Sequence, residues 1–274
     1  MKLALGVEYD GTRYHGWQRQ KNTQETVQEK VETALSLLAS GPVSVVCAGR
    51  TDAGVHAFEQ VVHFETNKHR EMHQWVFGTN ANLPSDIRII WIKEVPENFH
   101  ARFSAAARYY RYEILNRWVK SALRRHHVTT IFNPLDEKFM QQGANYLLGV
   151  HDFTSYRAQG CQANSPVKQM HSIVIKRIDD KIIIDIIANA FLHHMVRNIV
   201  GTLLPIGTGE KPPEFAQQVL QAKDRKQAGA TALPNGLYFK GVYYPKEYGL
   251  NNLDAFMPFS DAIEKNLVSK QTCL

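Results

Sequence analysis

The order in which hydrophobic periodicities follow one another constrains this chain most. Leu3, Leu5, Val7 and Tyr9 alternate with Lys2, Ala4, Gly6 and Glu8, the two-residue period of a strand. After a polar, glycine-containing loop over 10–24, Thr26 and Glu29 have the spacing of a capping box. Val27, Val31, Leu35 and Leu38 then recur at helical spacing up to Ala39, and Gly41-Pro42 stops the helix. Strand patterns over 43–47 and 61–64 follow. A weaker helix over 72–80 comes next, closed by Asn82-Leu83-Pro84, and then a strand over 87–93. β-α-β-β-α-β is the ferredoxin-like order, and it predicts an α+β unit.

The rest of the chain repeats that order loosely, without sequence repetition. A long strand is predicted over 103–115. A helix is predicted over 136–148, with Phe139, Gly143 and Leu147 on one stripe and Gly149 as its stop. A hairpin over 173–178 and 181–188 turns at Asp179-Asp180, a helix covers 191–204, Pro212-Pro213 opens another through Ala222, and a strand covers 237–243. Two ferredoxin-like halves are therefore expected, joined through their edge strands in one extended antiparallel sheet with helices packed on it. The junction around 100–107 would form a central cleft. The expected boundaries are 1–102 for the N-terminal half, 103–248 for the C-terminal half and 249–274 for a less patterned tail.

Between the strands at 43–47 and 61–64 lies Ala48-Gly49-Arg50-Thr51-Asp52-Ala53-Gly54-Val55-His56-Ala57. Its glycines allow a sharp turn and close approach of the backbone to a ligand. At its centre Asp52 stands two residues from Arg50, a cation that favours the ionised carboxylate. Such a group acts as nucleophile or general base, and an Asx-turn role for Asp52 competes with that reading. A two-carboxylate glycosidase would need a second acid, and neither Asp10 nor Glu59 sits in a distinctive motif.

Two further segments carry chemistry. In a strand, Arg108, Tyr110 and Tyr112 share one face, with Tyr109 and Arg111 on the other. Interleaved aromatic and cationic groups stack bases and hold phosphates, or else simply pack. In 190–198, adjacent His193 and His194 do not share a helix face, which argues against a metal pair. Arg197, on an otherwise apolar helix, needs a partner such as Asp52 unless it snorkels to solvent.

Charge and composition narrow the class. The net charge of +6, with eleven Tyr, thirteen Phe and four Trp, suits a polyanionic partner. Cys47, Cys161 and Cys273 form no C-x-x-C pair, which argues against a zinc cage or redox dithiol, and their odd number favours a reducing compartment. Cys47 reads as a small core residue. With no leader-like h-region and no apolar run of membrane-spanning length, a cytoplasmic protein is expected. No P-loop, strand-bound G-x-G-x-x-G, H-E-x-x-H or zinc-deaminase motif is present, so chemistry without cofactor or metal is expected.

Taken together, these motifs resemble the tRNA pseudouridine synthase A family. The resemblance runs from about Lys2 to Tyr248. Gly-Arg-Thr-Asp-Ala-Gly-Val-His at 49–56 matches the family's catalytic loop, and Glu8–Gly11, Gly16–Gln20, Asn80–Pro84, Ala101–Phe103, 108–112 and 193–198 match in the same order. The resemblance implies the pseudouridine synthase fold and an isomerase that flips out uridines 38, 39 and 40 of the tRNA anticodon arm, working as a homodimer. Asp52 falls on the catalytic aspartate and Tyr110 on the aromatic residue that packs the target base. Arg50 falls on the arginine linked to base flipping, Arg70 and Arg102 on tRNA-contacting positions, and Arg197 on an arginine expected to pair with the carboxylate. Tyr109 departs from the pattern, standing where a basic residue is expected. Attack of Asp52 on C1′, addition to C6 and removal of the C2′ proton all remain open. The alternatives are a non-catalytic RNA-binding protein of two RRM-like halves, which lacks a convincing RNP1 octapeptide, and a nucleoside hydrolase.

Overall fold

A computed structural model describes residues 1–250 of the chain. Most of the expected tail, with Cys273, lies outside the described residues. The described residues divide into two compact units, 1–106 with 238–250, and 107–237.

In the first unit the elements run β1 (Lys2–Tyr9), α1 (Val27–Ala39), β2 (Val46–Cys47), β3 (His56–Glu65), α2 (Met72–Ala81) and β4 (Ile87–Val95), with β10 (Leu237–Tyr243) returning late. β1 lies between β4 and β3, antiparallel to both. The two-residue β2 pairs with Val62 and His63, so one end of the β3 edge stays open. There β10 pairs in parallel with His56 and Ala57. The expected β-α-β-β-α-β order holds, with the strand predicted over 43–47 shortened to its last two residues. Leu3, Leu5, Val31, Leu35, Phe64 and Trp75 are fully buried or nearly so, and the Phe64 and Trp75 rings meet edge to face at 5.6 Å.

The start of α1 corrects one expectation. Thr26 is the N-cap, but its side chain makes no cap bond and its buried hydroxyl has no hydrogen-bond partner. The first free N–H groups are taken instead by distant carbonyls: Val27 donates to Gly16 at 3.2 Å and Gln28 to Trp17 at 3.0 Å. The helix is thereby anchored to the 10–24 loop rather than capped by its own residues.

The turn after β4 is fixed by histidines. His63 on β3 accepts the Ala101 N–H at Nδ1 (3.1 Å), and His100 Nδ1 lies 3.2 Å from the N–H groups of Arg102 and Phe103. Burial, the neighbouring His100 and the Lys2 charge push the His63 imidazole down to about 4, partly opposed by Glu65. The depressed value sets the sign of the pH dependence. The unfolded chain takes up this proton below about 6.5, the folded one only near 4, so stability is full above pH 6.5 and falls between these values. After discounting for solvent screening the loss is about 2 kcal/mol. Urea midpoints from pH 7 to 4 should fall less in His63→Asn, which keeps the acceptor without the titration. Parallel curves for the two proteins would refute this assignment.

The second unit holds β5 (Ala107–Asn116), β6 (Thr129–Ile131), α3 (Glu137–Asn145), β7 (Gly149–Asp152), β8 (Val167–Ile178), β9 (Lys181–Ala188), α4 (Met195–Gly207) and α5 (Phe215–Ala222). β5, β9, β8 and β7 follow one another as antiparallel neighbours, and β6 pairs in parallel with β5. The α+β class stands, with parallel pairing at β3–β10 and β5–β6. The β8–β9 hairpin turns where expected, with Asp179 at φ +53°.

Several boundaries differ from the sequence reading. β5 begins at Ala107, leaving 103–106 in a turn. α3 ends at Asn145, and of the expected stripe Gly143 and Leu147 are buried, joined by Met140 and Ala144, while Phe139 is exposed. α4 begins at Met195, so Phe191–His194 precede it and His194 caps it at φ +59°. α4 is buried almost all round, as its composition demands. Its buried Asn198 donates to Tyr156 O at 2.8 Å and accepts from Arg225 and Thr231.

Candidate active site

Residues 48–55 link β2 to β3, which opens with the decapeptide's last two residues, His56 and Ala57. Thr51 is buried, and its hydroxyl lies 2.7 Å from the Tyr9 hydroxyl. Its carbonyl accepts the Trp17 N–H at 3.0 Å. Gln60 Nε2 donates to Gly49 O at 2.6 Å, and the Asp52 carbonyl accepts the Val55 N–H at 3.2 Å. Burial raises the Tyr9 hydroxyl well above its ordinary value, so it stays protonated. Asp52 itself is half-buried, while Arg50 and Ala53 are exposed. The loop backbone is thus tied at Gly49, Thr51 and Asp52.

Two glycines make the floor of this loop. Gly16 has φ +89°, and a Cβ there would lie 2.6 Å from Thr51 O and 3.0 Å from the Asp52 carbonyl carbon. A Cβ on Gly11 would lie 2.0 Å from Val55 O. The 10–24 loop therefore presses bare backbone against the backbone of the acidic loop. Gly11 and Gly16 stand within the matching motifs, where sequence alone assigns them no role. The signal available was two glycines in a polar loop otherwise rich in bulky side chains.

The remaining predicted residues of this unit serve different surroundings. The Arg50 charge opposes the burial that pushes the Cys47 thiol up to about 11. Cys47 is thus an unreactive, half-buried thiol, close to the core role expected. Arg70 is exposed, and its Nε and Nη2 donate to Leu38 O at 3.1 and 3.0 Å. It satisfies a free carbonyl at the C-terminal end of α1, where a cation is favoured. Arg102 is exposed in the turn before β5, its guanidinium carbon 5.5 Å from the Phe103 ring centre.

In the second unit Tyr110 lies on β5, 8% exposed, with the Phe191 ring edge-on at 4.9 Å. Arg197 is in the first turn of α4, and its Nε donates to Ala232 O at 2.7 Å. Tyr112, on the same β5 face as Tyr110, donates its hydroxyl to Leu233 O at 2.7 Å. Tyr109 is buried on the opposite face. There Arg111 and Asp185 pair through two bonds of 2.8 and 2.9 Å, and Arg111 donates to the Tyr109 hydroxyl at 3.2 Å. The position that departs from the expected basic residue is thus a packed tyrosine on a cross-strand ion pair. His193 and His194 precede α4 with ring centres 4.0 Å apart, so the helix-face argument about them does not apply.

Comparison with known proteins adds the deciding observation. The model of a family described as tRNA pseudouridine synthase matches residues 6–104 and 144–245. The chain belongs to this family. It is 52% identical over 250 residues to tRNA pseudouridine synthase A of Methylococcus capsulatus, covering 91% of this chain and 92% of the relative. It is 55% identical over 249 residues to the protein of that name from Coxiella burnetii, covering 91% and 95%. For the Pseudoalteromonas atlantica protein the identity is 54% over 253 residues, covering 92% and 96%.

Membership in the tRNA pseudouridine synthase family makes this chain an isomerase, as its motifs led one to expect. Asp52, Arg50, Arg70, Arg102 and Arg197 all fall inside the matched residues, as do Gly11 and Gly16. Tyr110 falls in the interval between the two matched stretches. Among the described residues no helix is long and apolar enough to cross a membrane.

Proposed function

We propose that this pseudouridine synthase converts uridine to pseudouridine in the anticodon arm of tRNA, at positions 38, 39 and 40, with Asp52 as the reacting carboxylate. The N1–C1′ bond breaks, the uracil turns, C5 joins C1′, and the C5 proton is replaced by one on N1. No electron or phosphoryl group is transferred, so a carboxylate, an aromatic face and cations are a sufficient set of groups. The target base leaves its stack at a cost of a few kcal/mol, which binding of the flipped nucleotide offsets. Arg50 assists flipping, Tyr110 packs the base, Arg197 holds the substrate side, and Arg70 and Arg102 contact tRNA. We read the enzyme as a cytoplasmic homodimer working on this one substrate class.

The observation that carries the reading is the Asp52 loop: a half-buried carboxylate on a frame fixed by Tyr9, Trp17, Gly11 and Gly16, within residues matched by a family named for this reaction. The test is to incubate the full chain with unmodified tRNA, treat the RNA with a pseudouridine-specific carbodiimide, and map reverse-transcription stops. New stops confined to the anticodon arm are expected. Tight binding without any stop would favour the RNA-binding alternative, and stops elsewhere would overturn the proposed position.

A further inference from the structure

The turn between β4 and β5 holds an aromatic side chain in the open with unusual firmness. Phe99 and Ala101 are fully buried and anchor it. Ser104 N–H donates to His100 O at 2.9 Å, and His100 N–H donates back to Ser104 Oγ at 3.0 Å. Ala101 is gripped at both ends, its N–H by His63 Nδ1 and its carbonyl by the Tyr244 hydroxyl at 2.7 Å. The N–H groups of Arg102 and Phe103 point at His100 Nδ1, so the tip is tied to an imidazole nitrogen. From this frame the Phe103 ring projects, 75% exposed.

A single exposed phenylalanine needs no explanation by itself. The surroundings of this one do. One face of Phe103 is stacked on His100, with ring centres 4.3 Å apart and planes 28° from parallel. His100 in turn meets His63 at 4.9 Å. The three rings form a short chain of contacts, edge to face at His63–His100 and stacked at His100–Phe103, that starts on β3 and ends at the surface on Phe103. The Arg102 guanidinium carbon lies over the Phe103 ring, 5.5 Å from its centre, and the ring as a whole stays largely exposed. A fixed π-face next to a cation is the arrangement on which unpaired nucleic-acid bases stack, whatever their identity.

We infer that Phe103 is a substrate-contacting residue whose ring stacks on an unpaired base of the bound RNA, with Arg102 beside it on the phosphate backbone. The inference rests on the proposed tRNA substrate. The occupant is a base because the neighbouring cation and the net charge of +6 select a polyanion, and the flat face selects a planar ring. The histidines act on Phe103 through position alone: they hold the tip in place and do not touch RNA.

The test measures binding of the full chain to an unmodified tRNA transcript at several salt concentrations, for the wild type, Phe103→Ala, Phe103→Tyr and Arg102→Ala. Phe103→Ala should weaken binding about 5- to 50-fold while leaving the slope of log K against log salt unchanged, because stacking releases no counterion. Phe103→Tyr should restore most of the affinity. Arg102→Ala should reduce the slope by about one. Unchanged affinity in Phe103→Ala, or no rescue by tyrosine, would overturn the inference. So would a loss accompanied by a reduced slope, since that means the turn has collapsed and carried Arg102 away. The wild type is scored separately for pseudouridine on the same transcript, so a wrong substrate is recognised without reference to Phe103.

Discussion

Replacing Asp52 by alanine is expected to lower single-turnover pseudouridine formation by about 10⁴-fold or more while tRNA affinity changes less than about threefold. Each open route needs a carboxylate oxygen, whether it attacks C1′, adds to C6 or takes the C2′ proton. Asparagine keeps the size but is neither a nucleophile of that strength nor a base, so Asp52→Asn should be equally inactive. The loop should keep its shape in both variants. Its frame runs through Thr51, Gly49 and the Asp52 main chain, none of which the substitutions touch. Product formation by Asp52→Ala above about 1% of the wild-type rate would show that another group does the chemistry.

The second large effect is expected at Gly16, which touches no substrate in the proposed reaction. A methyl group there collides with the Thr51 carbonyl oxygen at 2.6 Å, and the φ of +89° is unfavourable for any L side chain. The obstructing atoms are backbone and belong to the Asp52 loop, so relief means moving that loop. Strain and overpacking together come to about 2–5 kcal/mol. Gly16→Ala should therefore lower the melting temperature by roughly 5–15 °C and cut the rate of the still-folded protein by at least about tenfold. Gly41 supplies the control, since a Cβ there meets nothing within 4 Å and its φ is not positive. Gly41→Ala should behave as wild type. A Gly16→Ala protein with normal melting and normal rate would remove the floor from this description of the site.

Elements with strong periodicity were legible in the sequence. β1, α1, the β8–β9 hairpin and β10 appear within a residue or so of where alternation and helical spacing put them, apart from an N-terminal extension of β8. The misread positions trace to tertiary partners or to a single backbone dihedral. The Thr26 capping box is absent because carbonyls of Gly16 and Trp17, eleven residues away in chain order, reach the same N–H groups first. Residues 103–106 leave the strand pattern because His63, on β3, holds the preceding turn. The segment 191–194 reads as helix by its apolar content, yet its backbone reaches positive φ at His194 before α4 starts. In each case a partner distant in sequence, or a single backbone dihedral, outweighed local preference.

By itself, then, the sequence determined the order of the longer elements, though not the short strands β6 and β7, together with the α+β class and the loop on which the reacting acid lies, because each depends on spacing along the chain. Only the tertiary structure decided what keeps that acid in place, bare glycine backbone from the 10–24 loop and a buried tyrosine hydroxyl from β1, and what holds the turn carrying Phe103, the imidazoles of His63 and His100. Those arrangements depend on distances through space between residues tens of positions apart, and no period in one dimension encodes them.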